Sequence, residues 1–149
     1  MPQSLENKIA VITGSTRGLG LAIAQAYAAA GAAVVVASRR QEAVDEVVGQ
    51  LATAGARVTG LAVDVADLAS VEALAAHAER SFGRFDIWVN NAGVAGPYGP
   101  TLGIAPATFH QVIQTNVTGV YNGSFTAMRR FVAQGSGKLI NVLGRGYKN

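Results

Sequence analysis

Ile9-Ala10-Val11-Ile12-Thr13-Gly14-Ser15-Thr16-Arg17-Gly18-Leu19-Gly20 is the stretch that decides the fold. Its first four residues are apolar and mostly β-branched, which favours a strand buried on both faces. A glycine-rich turn follows, and then an alanine-rich run, Leu19 to Ala30, with helical spacing. Strand, glycine turn and helix make the opening of a βαβ unit. A backbone without Cβ can lie against a pyrophosphate and lets a helix pack closely on a strand. The helix N-terminus beyond the turn presents free N–H groups and the positive end of the helix dipole. Gly14, Ser15, Thr16, Arg17, Gly18, Leu19 and Gly20 are therefore candidate cofactor-binding residues. The spacing is G-x-x-x-G-x-G, not G-x-G-x-x-G, and no Gly-Lys-Ser/Thr follows, so the turn is not a P-loop. By itself such a turn can also be merely structural.

The pattern repeats outward from this unit. Val34-Val35-Val36, Val58 to Val65, Ile87-Trp88-Val89 and Leu139-Ile140-Asn141-Val142 read as further buried strands. Gln41 to Ala54, Leu68 to Phe82 and Ala107 to Gln134 read as helices between them. Gly31, Gly55, Gly83 and Gly135 each close a helix before a strand, where a left-handed residue is wanted. The expected class is α/β, a doubly wound parallel sheet in one domain, since 149 residues allow about one.

Other positions depart from this pattern. Ser38-Arg39-Arg40 ends the second strand, where an NAD site carries an acid that binds the ribose 2′-hydroxyl. A guanidinium can instead pair bidentately with a 2′-phosphate, with Arg17 helping from the glycine turn, so NADP(H) is favoured over NAD(H). The other reading of the two arginines is a solvated helix start. Asp64, beside Val65 in an apolar run, could meet an adenine amino group or cap the next turn. Asn90-Asn91-Ala92-Gly93 ends the fourth strand, where open α/β sheets bind ligands, although Asn-Asn also suits a plain turn. Asn116 shares the helical face of Phe109, Val112, Ile113, Val117 and Val120, and is expected to be buried there. Its amide then either satisfies local backbone or organises a proton path.

Composition excludes several classes. The chain has no cysteine and only two histidines, His77 and His110, so no metal site is expected. Residues 1–86 hold seven basic and nine acidic side chains, and residues 87–149 hold five basic and no acidic ones, for a net charge of +3. These basic residues are scattered and lack interleaved aromatics, so no nucleic-acid partner is expected. No apolar run approaches the roughly 20 residues that span a bilayer, and no signal peptide is visible. The expectation is a cytoplasmic protein without a membrane partner.

Together, Thr13-Gly14-x-x-x-Gly18-x-Gly20, Asp64, Asn90-Asn91-Ala92-Gly93 and Asn116 resemble the short-chain dehydrogenases/reductases in order and spacing, from Lys8 to Val142. The resemblance implies a Rossmann fold with strand order 3-2-1-4-5, continued by further strands. It also implies hydride transfer between a nicotinamide cofactor and an alcohol or carbonyl substrate. It assigns the pyrophosphate to Gly14–Gly20, adenine to Asp64, a stretch along the cofactor to the Asn91 region, and a relay water to Asn116. The family's catalytic core is a serine after the fifth strand and then Tyr-x-x-x-Lys. Lysine one helical turn from tyrosine lowers the phenol's pKa, and tyrosine is then the general acid/base.

The chain departs from the family at that core. Gly144 stands at the serine position, and none of Tyr27, Tyr98, Tyr121 and Tyr147 is followed four residues later by lysine. Residues 1–149 are therefore expected to be an NAD(P)-binding Rossmann domain cut before the catalytic helix, with a homo-oligomer only for a full-length form. The alternative is a non-catalytic nucleotide-binding remnant, or a subunit that pairs with a partner chain. A methyltransferase on a related sheet would instead be stabilised by S-adenosylmethionine, which has no 2′-phosphate for Arg39. The substrate is not legible, although the loop Val94 to Ile104 reads as lying near the site. The isolated 149-residue chain is expected to oxidise no NADPH with simple aldehydes, ketones or quinones. Loss of NADPH absorbance above the blank would overturn this.

Overall fold

The computed structural model describes residues 4–144. Its strands pair because the central ones, Ile9–Thr13, Ala33–Ser38 and Ile87–Asn90, are buried almost throughout and can be covered only by helices on both sides. The strands are β1 (Ile9–Thr13), β2 (Ala33–Ser38), β3 (Val58–Ala62), β4 (Ile87–Asn90) and β5 (Lys138–Asn141). They form one parallel sheet in the order β3-β2-β1-β4-β5, as the resemblance implies. The helices are α1 (Gly18–Ala29), α2 (Gln41–Thr53), α3 (Leu68–Phe82), α4 (Pro106–Ile113) and α5 (Gly119–Gln134). The third strand ends at Ala62, not Val65, because Asp64 opens a turn.

Alternate residues of a strand feed opposite cores. Ala10, Ile12, Val34 and Val36 pack with Ala24, Val44 and Val47 under α1 and α2. Ile9, Val11 and Val35 pack on the other face with Val71, Leu74, Trp88 and Phe131 under α3 and α5. There the Phe85 ring lies 5.4 Å from Trp88 and 5.5 Å from Phe131, centroid to centroid. The four helix-closing glycines all take positive φ, at 94°, 87°, 85° and 73° for Gly31, Gly55, Gly83 and Gly135. No helix among the described residues is long and apolar enough to cross a membrane.

The expected helix from Ala107 to Gln134 needs correction. It is interrupted by a π-helical turn, Gln114–Thr118, which changes the phase of the helix surface. Phe109, Ile113 and Val117 are 56%, 38% and 57% exposed, and Asn116 is exposed with them. The face that meets the sheet is instead Gly119, Asn122, Gly123, Thr126, Ala127 and Phe131. Size explains the reversal better than polarity. A Cβ on Gly119 would press on Val65, and one on Gly123 would strike Asn90 Oδ1 and lie 2.8 Å from Trp88 Nε1.

Polar groups complete this interface. Asn122 Nδ2 donates to Val65 O at 2.9 Å, and Arg130 bridges Glu72 and Glu79 of α3 at 2.9 Å each. Burial pushes the Glu72 carboxyl up, but hydrogen bonds from Arg130 and Thr126 and the charges of Arg130 and Arg129 outweigh it and hold it below its usual value. Gly123→Ala should destabilise the fold by about 1–3 kcal/mol through overpacking, read as a lower urea midpoint at unchanged m-value. An unchanged midpoint would mean that α5 can move off the sheet at no cost.

Candidate functional site

The chain runs outward from β1 through β2 to β3, then crosses back to place β4 on β1's other side. The carboxyl ends of β1 and β4 therefore diverge, and a crevice opens between the loops that follow them. A cleft of about 580 Å³ lies there. Its floor is the β1–α1 turn, with Thr13, Gly14, Thr16, Arg17, Gly18, Leu19 and Gly20. One wall carries Ser38, Arg39 and Arg40 at the end of β2, with Val63, Asp64 and Val65 after β3. Asn91, Ala92, Gly93 and Val94 after β4, and Thr115 of the π turn, complete the other end.

The floor is held from both sides. Asn91 Nδ2 donates to the carbonyls of Thr13 and Gly14, both at 3.0 Å. Thr13 Oγ1 accepts from the N–H groups of Asn91 and Ala92 at 3.1 Å. A Cβ on Gly14 would lie 2.7 Å from the Cα of Ala92, and one on Gly20 would strike Gly14 O and the Asn91 amide. Those two glycines are thus demanded by the protein's own packing. Gly18 is different. It takes φ 55°, and a Cβ built on it would meet nothing within 4 Å. Arg17, the N-cap of α1, makes no side-chain cap, so the first N–H groups of the helix are left to the cleft. Uncapped donors, an open glycine and a dipole end fit an anionic phosphate.

Two expected residues stand outside this lining. Ser15 is fully buried below the floor, where Oγ donates to Ile12 O at 2.7 Å and accepts from Ala37 N–H at 3.0 Å. Its hydroxyl is spent tying the turn to β2. Asn90 is 3% exposed. It accepts from Trp88 Nε1 at 2.9 Å and donates to Ser124 Oγ at 3.1 Å and Asn141 Oδ1 at 2.8 Å. Asn90 therefore staples β4, β5 and α5 together. The other residues expected to bind cofactor do line the cleft.

Asp64 does cap a turn. Oδ1 accepts from Ala66 N–H at 3.0 Å, and its own N–H donates to Ser70 Oγ at 3.1 Å. Its side chain still lines the cleft. Asn116 is exposed, and its amide brackets the backbone of Val94, accepting from N–H and donating to O at 2.8 Å each. Neither Asn116 nor Gly144 lines the cleft, and Tyr147 and Lys148 lie outside the described residues. Ala43 and Thr115 do line it without having been marked by the sequence. Neither residue type carries a signal, and both arrive through helix placement.

Charge in the cleft is one-sided. Arg17, Arg39 and Arg40 face it, and Asp64 is the one carboxylate in its lining. Ion pairs among the described residues involve Arg84, Arg129 and Arg130, none of them in the cleft. His77 lies elsewhere, with Nε2 2.8 Å from Thr59 Oγ1, and burial and then Arg80's charge push its pKa down. No group of three or more His, Asp or Glu among the described residues is placed to hold a metal ion.

A family model described as short chain dehydrogenase matches residues 8–145. The chain is 36% identical over 140 residues to a 3alpha-hydroxysteroid dehydrogenase of Mediterraneibacter gnavus, covering 93% of this chain and 56% of that protein. An actinorhodin polyketide ketoreductase solved with NADPH superposes with a TM-score of 0.85 at 32% identity, over 90% of this chain and 52% of the other. A short chain dehydrogenase/reductase from Burkholderia phymatum in complex with NAD gives 0.88 at 34% identity, over 93% and 49%. The chain spans about half the length of the curated relatives it matches.

Asn116→Ala removes both bonds of the Val94 bracket and should cost about 1–2 kcal/mol, with faster amide exchange centred on Val94. Unchanged exchange there would mean that the bracket does not hold the loop.

Proposed function

This chain belongs to the short-chain dehydrogenase family, and from that premise we propose that it is the cofactor-binding portion of an NADP(H)-dependent oxidoreductase acting on an alcohol or carbonyl compound. The observation that carries the cofactor choice is the arginine wall. Arg39 and Arg40 follow β2 directly, where a carboxylate would serve NAD(H), and Arg17 stands in the adjoining glycine turn. Guanidinium groups there favour the doubly charged 2′-phosphate, and Glu42, the acid two residues past Arg40 in the first turn of α2, lies outside the cleft lining. The relatives do not make this choice, because one solved neighbour holds NADPH and another holds NAD.

In this reading each element has its own task. The uncapped start of α1 and the open face at Gly18 receive the pyrophosphate. Asp64 keeps one carboxylate oxygen on its turn and offers the other to an adenine amino group. Asn91 and Thr13 keep the turn rigid, so little ordering is left for the moment of binding. Asn116 holds the loop at Val94, where the cleft runs toward Thr115, and so acts on the far end through backbone position. The bound nicotinamide is what gives or accepts the hydride. Binding and orientation are this chain's part, because none of Tyr27, Tyr98 and Tyr121 has lysine four residues on and Gly144 offers no hydroxyl. That, and the length of its relatives, support reading residues 1–149 as a cofactor-binding domain.

Calorimetry with NADPH and NADH tests the proposal. NADPH is expected to bind more tightly, and Arg39→Ala should weaken it by about tenfold or more while NADH stays within about twofold, as loss of one charge-assisted contact predicts. Equal affinity for both cofactors in the unaltered chain would overturn the NADP(H) assignment.

A further inference from the structure

We infer that Gln41 is a positioning residue for cofactor discrimination: its side chain ties the arginine wall to the end of β3 and so sets where Arg39 and Arg40 stand. The inference rests on the 2′-phosphate reading proposed above and concerns a residue that does not itself line the cleft.

β3 is the outermost strand, so half of its N–H groups have no strand to meet. Arg57 O accepts from Val34 N–H, and Val63 N–H donates to Ser38 O at 2.8 Å. Odd-numbered residues therefore face β2, and the N–H of Ala62 points to the free edge. Gln41 Oε1 accepts that N–H at 2.9 Å. Gln41 Nε2 in turn donates to Asp45 Oδ1 at 2.7 Å, one turn further along α2. The amide is thus engaged at both ends and held in one orientation.

Its location gives the bridge its consequence. Arg39 and Arg40 immediately precede Gln41, and Val63 and Asp64 immediately follow Ala62. Both pairs line the cleft. The bond from Gln41 to Ala62 therefore spans the β2–α2 and β3–α3 loops. α2 lies close enough for this because Gly60 has no Cβ, and one built there would strike Val44 Cγ1 and lie 2.9 Å from Val36 O. Arg40, the N-cap of α2, contributes no side-chain cap, so nothing else of that kind holds the first turn. An arginine on a fixed segment meets a phosphate with less ordering cost than one on a fraying helix end. A ligand without a 2′-phosphate does not sense that difference.

The test uses Gln41→Met, which keeps side-chain length and helix preference but removes both hydrogen bonds, in the chain as its gene encodes it. Two probes differ only in the 2′-phosphate: adenosine 2′,5′-bisphosphate and adenosine 5′-monophosphate. The variant should bind the bisphosphate about threefold to tenfold more weakly, the range of one ordinary hydrogen bond, with the monophosphate unchanged. Amide exchange at Ala62 should quicken in the same variant. Affinity for the two probes falling together, or for neither, overturns the inference while leaving the 2′-phosphate reading intact. If the unaltered chain does not prefer the bisphosphate and Arg39→Ala changes nothing, that reading fails and this inference falls with it.

Discussion

The structure depends on one clamp, the Asn91 amide laid across the carbonyls of Thr13 and Gly14. It joins the carboxyl end of β4 to the turn after β1, at the place where the sheet changes direction. Gly14 and Gly20 are the steric counterpart, since a Cβ on either would press into Ala92 or the Asn91 amide. Each hydrogen bond contributes only about 1 kcal/mol net, but leaving a half-buried carbonyl unpaired costs more than the bond returns. The clamp therefore acts as a geometric constraint. Everything that lines the cleft is positioned relative to it.

Support radiates from that point along the strand ends. Ser15 fastens the turn to β2, and Asn90 fastens β4 to β5 and α5. On the far face Asn122 holds Val65, and Arg130 joins α5 to α3 through Glu72 and Glu79. Polar side chains buried among strands and helices work here because each finds a partner; none among the described residues is buried without one. The cost of this arrangement is specificity of size. Gly119 and Gly123 cannot grow, and Phe109 of α4 and Tyr121, Phe125 and Met128 of α5 are turned outward instead.

The chemistry of the cleft follows from what the framework leaves unsatisfied. The start of α1 has no side-chain cap, and the start of α2 has none either. Two helix N-termini and three arginines converge on one crevice, opposed by the single carboxylate of Asp64. Such a field suits an elongated polyanion, and the proposed reading sets phosphate at the helix ends and a neutral ring near Asp64.

Much of this was legible without coordinates. Continuous β-branched runs, glycine closures and the turn Gly14–Gly20 determined a parallel α/β sheet, because period and turn chemistry are local properties. Loop position after β2, β3 and β4 likewise marked Arg39, Asp64 and Asn91, since strand ends are where such sheets bind ligands. Three assignments needed the tertiary structure. Ser15 and Asn90 look like ligand groups in sequence, but packing turns their side chains inward to bind the framework. Asn116 and the apolar stripe beside it follow a 3.6-residue period that a π turn breaks, so helical phase misassigned the buried face. Residue type and spacing decide which conformations a segment can adopt. Which face it buries, and which hydroxyl or amide is left over for a ligand, depends on how closely its neighbours approach, and that distance exists only in the folded chain.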